Sequence, residues 1–259
     1  MSGTSPEGAD DLVYGIHAVE RLVVEQPGRV RVIWVLREAQ RHRLDKLLDA
    51  ARGAGIRTEL VERRLLDRRV HGAHQGVVAQ CHAADLADEG ALEAQLDRMP
   101  APVLMLALDG IQDPRNLGAC LRSAEAAGVC AVLLPKRRSA PVSSLARKTA
   151  SGAAEALFLV EVTNLVRRLV WLKERGLRVI GAAVDARKRW IEADFTGPTV
   201  LVVGGEEKGL RALTRATCDE LVALPMHGNV ASLNVSVATG ILLFEAVRQR
   251  SLARAGPYT

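Results

Sequence analysis

Between Pro225 and Val247 the chain reads PMHGNVASLNVSVATGILLFEAV, an apolar helix whose entrance carries Ser232, Asn234 and Ser236 at two-residue spacing. Polar groups placed where a helix is about to be buried need partners, and a bound ligand can supply some of them. Hydroxyls and carboxamides there suit the orienting of a substrate. Two other stretches carry related chemistry: LDGIQDPRNLGACLR, with Asn116 and Arg122, and VVGGEEKGLR, with Gly204, Gly205 and Glu206. An arginine fork matches a phosphate, and glycine lets backbone approach another group closely.

Each of these stretches follows an apolar run that reads as a strand. The expected strands are VLMLALD, AVLLP, ALFLVEV, RVIGAAV, TVLVVGG and ELVALPM, separated by helices that include NLGACLRSAEAAG and TNLVRRLVWLKERG. Near-continuous apolar runs suit a parallel sheet covered on both faces. Ligands bind such sheets at the carboxyl ends of the strands. Ahead of this region, HAVERLVVEQ, RLDKLLDAARGAG and RRLLDRRV have helical periodicity, and VRVIWVL, IRTELVE and QGVVAQC read as strands. The expected organisation is a short disordered lead (1–11), a small α/β domain (12–84), an acidic linker ending in two prolines (85–102) and a larger α/β domain (103–259).

Composition narrows the function classes. Aromatics are only 3% of the 259 residues, which argues against a broad base-stacking platform. No apolar run reaches the roughly 18 residues of a membrane span, and MSGTSPEGADD lacks the pattern of a secretory signal. Cys81, Cys120, Cys130 and Cys218 are widely spread, so free thiols in the cytoplasm are expected. His17, His71 and His74 have no Cys or acidic partners at ligand spacing, and no metal is expected. The net charge is +5, but 12 Lys/Arg face 6 Asp/Glu between Arg29 and Gly72, including Arg41, Arg43, Arg63, Arg64, Arg68 and Arg69. Lys136, Arg137 and Arg138 form a second cluster. Charge alone leaves solvated helix faces and a phosphate-contacting surface both open.

Familiar nucleotide sites do not fit. Gly204 to Gly209 is followed by Leu210 and Arg211 rather than the Lys and hydroxyl of a P-loop. Neither domain opens with G-x-G-x-x-G, which disfavours a nucleotide-dependent oxidoreductase, and no G-x-S-x-G elbow is present.

Taken in order, NLGACLR, VVGGEEKGL and LPMHGNVASLNVSVA resemble the three motifs of the SpoU (TrmH-like) branch of the SPOUT RNA methyltransferases, over roughly 103–250. VYGIHAVERLV and AHQGVVA look like the two ends of that family's ribosomal-protein-like substrate-binding domain. The resemblance implies a parallel-sheet domain with a deep trefoil knot, S-adenosylmethionine (SAM) as donor, and a homodimer. Within the family the likeness is greatest to members that methylate the 2′-oxygen of a guanosine in the peptidyl-transferase P-loop of 23S ribosomal RNA.

Carried onto matching positions, the resemblance implies that Leu224 and Leu233 flank the cofactor's base and that Gly204 lies against the cofactor; Gly205 and Gly228 suit close approach of backbone to it, and Met226 is a further candidate beside them. Arg122, Asn116, Glu206, Ser232 and Asn234 are the implied catalytic residues. Arg122 would hold a phosphate of the target nucleotide and align the ribose hydroxyl. Arginine side chains are poor bases, so positioning and electrostatic stabilisation are the favoured roles. Taken singly, Asn116 and Asn234 also suit helix N-caps, and Ser236 suits a hydroxyl bonded back to a carbonyl. One departure is Glu207, where the family often has glycine; a differently shaped loop is expected there. The competing readings are a transfer-RNA ribose methyltransferase of the same fold, an antibiotic-resistance ribosomal methyltransferase, and a non-catalytic RNA-binding ribosome-assembly factor.

Overall fold

In the computed structural model all six apolar runs expected as strands in the second half of the chain pair into one sheet. The structure describes residues 11–38, 44–70, 74–81, 86–206 and 208–255. Most of the N-terminal lead, together with Arg41, Arg43, His71 and Glu207, lies outside them. The chain divides into two compact units, Met1–Asp85 and Leu86–Thr259.

The first unit is a four-stranded sheet of β1 (Asp11–Tyr14), β2 (Val30–Leu36), β3 (Thr58–Val61) and β4 (Val77–Cys81), in the order β1-β4-β2-β3. β4 runs antiparallel to both neighbours, whereas β2 and β3 are parallel. Strand alternation sends Ile33, Val35, Val77 and Ala79 to one face, under α1 (Ile16–Glu25) and α2 (Asp45–Gly53). Val32, Trp34 and Val78 go to the other, under α3 (Arg63–Arg69), which buries only Leu66. β1 was not expected as a strand: a four-residue DLVY offers too little alternation to signal one.

The second unit opens with α4 (Glu89–Gln95), capped by the Asp88 carboxylate on the Ala91 N–H. This is the acidic segment expected as a linker, and it is fastened to its own unit. Glu89 and Glu93 both accept from Arg168, which is buried on α8 (Leu165–Lys173).

β5 (Leu104–Asp109), β6 (Ala131–Pro135), β7 (Leu159–Val162), β8 (Arg178–Ala182), β10 (Thr199–Gly204) and β11 (Glu220–Ala223) are all parallel, with a two-residue edge strand β9 (Lys188–Arg189). Their order is β7-β6-β5-β10-β8-β11-β9. The chain therefore runs outward from β5 to β7, crosses to β8, and returns to insert β10 at the centre.

One face carries α5 (Pro114–Ala126), α6 (Ser144–Ala150) and α10 (Val235–Ala255); the other carries α4 and α8. α5 and α6 pack backbone to backbone at Gly118, where an added Cβ would lie 2.3 Å from the Ala146 carbonyl oxygen. α6, α7 (Ala153–Ala156) and α9 (Ala212–Thr217) were not expected, since each is too short for a clear 3.6-residue period.

Burial pushes the Glu89 carboxyl up. The Arg168 guanidinium, the Thr163 N–H and the charges of Arg168 and Arg167 outweigh that effect and hold it below the usual glutamate range. A lowered carboxylate pKa stabilises the fold above the unfolded value, and that stabilisation is lost as pH falls through the folded one. Glu89→Gln is therefore expected to cost about 2 kcal/mol at pH 7. In urea unfolding followed from pH 7 to pH 3, the gap from the parent should be constant above about pH 5 and shrink below about pH 4.

Candidate active site

At the carboxyl ends of β8, β10 and β11 the second unit encloses a cavity of about 580 Å³, a size typical of small-molecule sites, which span roughly 300–1,000 Å³. Val203, Leu210, Val222, Leu224, Leu233 and Leu242 give it an apolar lining. Asp185, Glu206, Lys208, Arg215, Ser232 and Asn234 bring polar groups to it.

Two close approaches shape the glycine loop after β10. A Cβ on Gly204 would lie 2.0 Å from the Gly209 carbonyl carbon and 2.2 Å from the Leu210 nitrogen, and one on Gly205 would lie 2.5 Å from the Gly110 carbonyl oxygen. Any side chain would push these backbones apart. Both residues line the cavity, and the close approach of the chain to itself already requires glycine at each.

The loop is pinned from β5. Asp109, whose side chain is fully buried, accepts from the Arg211 backbone N–H at 2.9 Å and from Arg211 Nε at 2.5 Å, and pairs with the guanidinium terminus. The Gly205 N–H donates to the Asp109 carbonyl at 3.2 Å, and the Gly209 N–H to the Gly205 carbonyl at 2.9 Å. The loop therefore closes on itself and holds Glu206 outward.

Glu206 ends a chain of side-chain hydrogen bonds drawn from all three motifs. Asn234 Oδ1 accepts from the Ser236 N–H (2.9 Å) and hydroxyl (2.6 Å), which caps α10. Asn234 Nδ2 donates to Asn116 Oδ1 at 3.0 Å, and Asn116 Nδ2 donates to Glu206 Oε1 at 2.7 Å. Each carboxamide thus uses both its oxygen and its nitrogen, so neither is free to flip. Asn234 is a cap and a network member at once. Asn116 is not a cap: Pro114 begins α5 and Asp113 caps it, which leaves Asn116 in the first turn facing Glu206 and Asn234. Ser236 bonds to the carboxamide and not back to a carbonyl.

Of the residues proposed to bind a cofactor, Gly204, Gly205, Leu224, Met226 and Leu233 line the cavity. Gly228 does not; it is exposed and a Cβ there would meet nothing within 4 Å, so no close approach demands glycine. Glu206, Ser232 and Asn234 line the cavity, and Asn116 reaches it through Glu206. Arg122 does not line it. It is exposed on α5 and makes no hydrogen bond or ion pair among the described residues. Six residues along a helix is about 9 Å of rise and a third of a turn away from Asn116.

Sequence reading missed Asp109, Asp185, Lys208, Arg211 and Arg215. Asp185 follows β8 and pairs with Arg215 on α9 at 2.7 Å, both at the cavity. The strand order supplies the reason they meet: β8 lies between β10 and β11. Beneath the network, burial pushes the Cys120 thiol up to about 11; the Thr239 hydroxyl opposes this and the Glu206 charge adds to it. That thiol stays protonated at neutral pH. Among the described residues no group of three His, Cys, Asp or Glu side chains is placed to hold a metal ion, and no helix is long and apolar enough to cross a membrane.

A parallel sheet with a cavity at its central strand ends, bounded by a self-crossing glycine loop, defines a class that comparison with known proteins makes specific. The SpoU rRNA methylase family model matches residues 103–244, and a model for RNA 2′-O ribose methyltransferase substrate binding matches 12–87. The chain belongs to the SpoU rRNA methylase family. It is 50% identical to the 23S rRNA (guanosine-2′-O-)-methyltransferase RlmB of Pseudomonas putida, over 93% of this chain and 98% of that protein. To the RlmB of Pseudomonas aeruginosa it is 51% identical, over 92% of this chain and 96% of that one. Among solved structures, the SpoU methyltransferase AviRb from Streptomyces viridochromogenes in complex with AdoMet is similar, with a TM-score of 0.78 and 28% identity over 93% and 91% of the two chains.

Removing the guanidinium would strand a buried carboxylate, so Arg211→Ala is expected to lower the unfolding free energy by about 3 kcal/mol. Arg211→Lys should recover only part of this, because an ammonium cannot reproduce the fork. Urea titration of the three proteins is the measurement, and an Arg211→Ala midpoint equal to the parent's would contradict the role given to the pair.

Proposed function

We propose that this protein transfers a methyl group from SAM to the ribose 2′-oxygen of a guanosine in the peptidyl-transferase P-loop of 23S ribosomal RNA. The observation that carries this reading is the Asn234–Asn116–Glu206 chain of hydrogen bonds beside an apolar cavity at the strand ends. The cavity fits the donor: Leu224, Met226 and Leu233 offer apolar surface for a purine, and Glu206, Ser232 and Asn234 bring polar groups to it. SAM supplies a methyl group activated by a sulfonium. The relatives' names and the AdoMet complex of AviRb support both donor and substrate.

The chain's own groups have three tasks. Leu224, Met226 and Leu233 exclude water around the purine. Asn116 and Asn234, fixed by their mutual bond, orient the ribose, and Glu206 is held by Asn116 close to where the hydroxyl proton must leave. Ser232 is exposed at the cavity with no hydrogen bond among the described residues, which suits a contact with substrate. Arg122 holds the phosphate of the target nucleotide and stabilises developing negative charge. Its unpaired state supports that role; its place outside the cavity means RNA must bring the phosphate to it.

The reading includes a trefoil knot at this crevice, a cytoplasmic location and a homodimer. Support for the homodimer comes from Val237, Phe244 and Leu252, each at least half exposed along one stripe of α10.

Two experiments test the reading. Labelled methyl transfer from SAM to 23S ribosomal RNA and to transfer RNA, followed by mapping of the 2′-O-methyl position, should show a single ribosomal guanosine; incorporation into transfer RNA alone would overturn the substrate. Arg122→Ala is expected to reduce transfer by at least about 10³-fold while SAM binding by calorimetry changes less than about threefold. Near-normal turnover by that variant would remove Arg122 from the mechanism.

A further inference from the structure

The basic residues of the first unit are not neutralised evenly. On the α1 and α2 side the cations are paired: Arg21 with Glu25 (2.9 Å), Lys46 with Glu20 (3.2 Å) and Arg52 with Asp49 (3.1 Å). On the opposite face of the sheet the situation is reversed. α3 carries Arg63, Arg64, Arg68 and Arg69 in seven residues, and none of them has a carboxylate partner among the described residues. The one acid on the helix, Asp67, is turned to His74 at 3.0 Å and so does not neutralise them. Arg69 lies over the Trp34 ring at 3.6 Å from its centroid. This contact holds it flat against the sheet.

Arg64 and Arg68, four residues apart, share one side of the helix. With Val61, Glu62, Leu65 and Arg69 they line a shallow groove of about 700 Å³. Among the described residues Glu62 is the only acid lining it. Four guanidiniums without a carboxylate partner on a seven-residue helix give this face a positive potential that favours an anionic ligand. A flexible acidic protein segment could do so, but a groove lined by planar forks along a helix matches the regular spacing and bidentate geometry of phosphates.

We propose that α3 is the surface by which the first unit grips ribosomal RNA, with Arg64 and Arg68 contacting backbone phosphates and Arg69 held in register by Trp34. The proposal rests on the reading of the protein as an RNA methyltransferase and locates the contact within it. Such contacts set affinity and position without reading bases. They release counterions, and each phosphate contact steepens the dependence of log K on log salt by roughly 0.7–0.9.

The test uses the full chain and a 23S ribosomal RNA transcript, with binding followed from 50 to 250 mM KCl. Arg64→Ala/Arg68→Ala should lower affinity about tenfold near 150 mM salt and reduce the salt slope by roughly 1.4–1.8, two contacts' worth. Arg64→Lys/Arg68→Lys should keep the slope, since charge is conserved. Arg21→Ala/Arg52→Ala, which removes paired cations from the other face, should leave both quantities unchanged. An Arg64→Ala/Arg68→Ala protein with the parent's slope, or one no weaker than the Arg21→Ala/Arg52→Ala control, overturns the assignment. The outcome is separate from that of the methyl-transfer assay: a parent protein that methylates 23S ribosomal RNA while the α3 variant binds normally defeats this proposal and leaves the function standing.

Discussion

The buried pair of Asp109 and Arg211 is the constraint on which the site's geometry turns. It joins the end of β5 to the start of α9, two points 102 residues apart in the chain. Between them in space lies the glycine loop. A buried ion pair of this kind contributes little net stability, because desolvation offsets most of the attraction. Its value lies in what it forbids. With Asp109 taken up by one backbone N–H and one guanidinium, the segment after β10 has a single place to land, and Gly204 and Gly205 must pass against Gly209, Leu210 and Gly110 to reach it.

The position of Glu206 follows from that closure. The carboxylate is held at the cavity because the loop folds back at Gly209, and it meets Asn116 because α5 begins directly after the β5 end that carries Asp109. Asn234 completes the chain by starting α10, so its carboxamide satisfies an orphan helix N–H and fixes Asn116 in the same act. A capping role and a site role are therefore one arrangement, and the entrance to α10 carries polar side chains because each has a partner or faces the cavity.

The parallel sheet and the strand ends that carry chemistry were legible in the sequence, since buried strands read as uninterrupted apolar runs and the motifs follow them directly. Cavity residues within those motifs were legible for the same reason. Asp185 and Arg215 were not, because their meeting depends on β8 lying between β10 and β11, and strand order leaves no trace in local pattern. Asp109 and Arg211 were hidden similarly: each stood inside a quoted motif, but nothing in either motif announces the other. The close approach that glycine allows at Gly204 and Gly205 is made within the structure by the chain itself. At Gly228 a Cβ would meet open space, so no close approach within the structure accounts for glycine there.

Charge is distributed so that the fold and the surface have different tasks. Where an arginine serves the fold it is used up: Arg168 by Glu89 and Glu93, Arg211 by Asp109, and Arg250 by the carbonyls of Pro102, Val103, Phe195 and Gly197. Arg122, Arg64 and Arg68 have no such partner among the described residues, though each sits on a well-formed helix. An exposed guanidinium without a carboxylate partner is not neutralised within the protein and stays accessible to an anion. The same folding that satisfies the buried arginines thus leaves the exposed ones ready for phosphate.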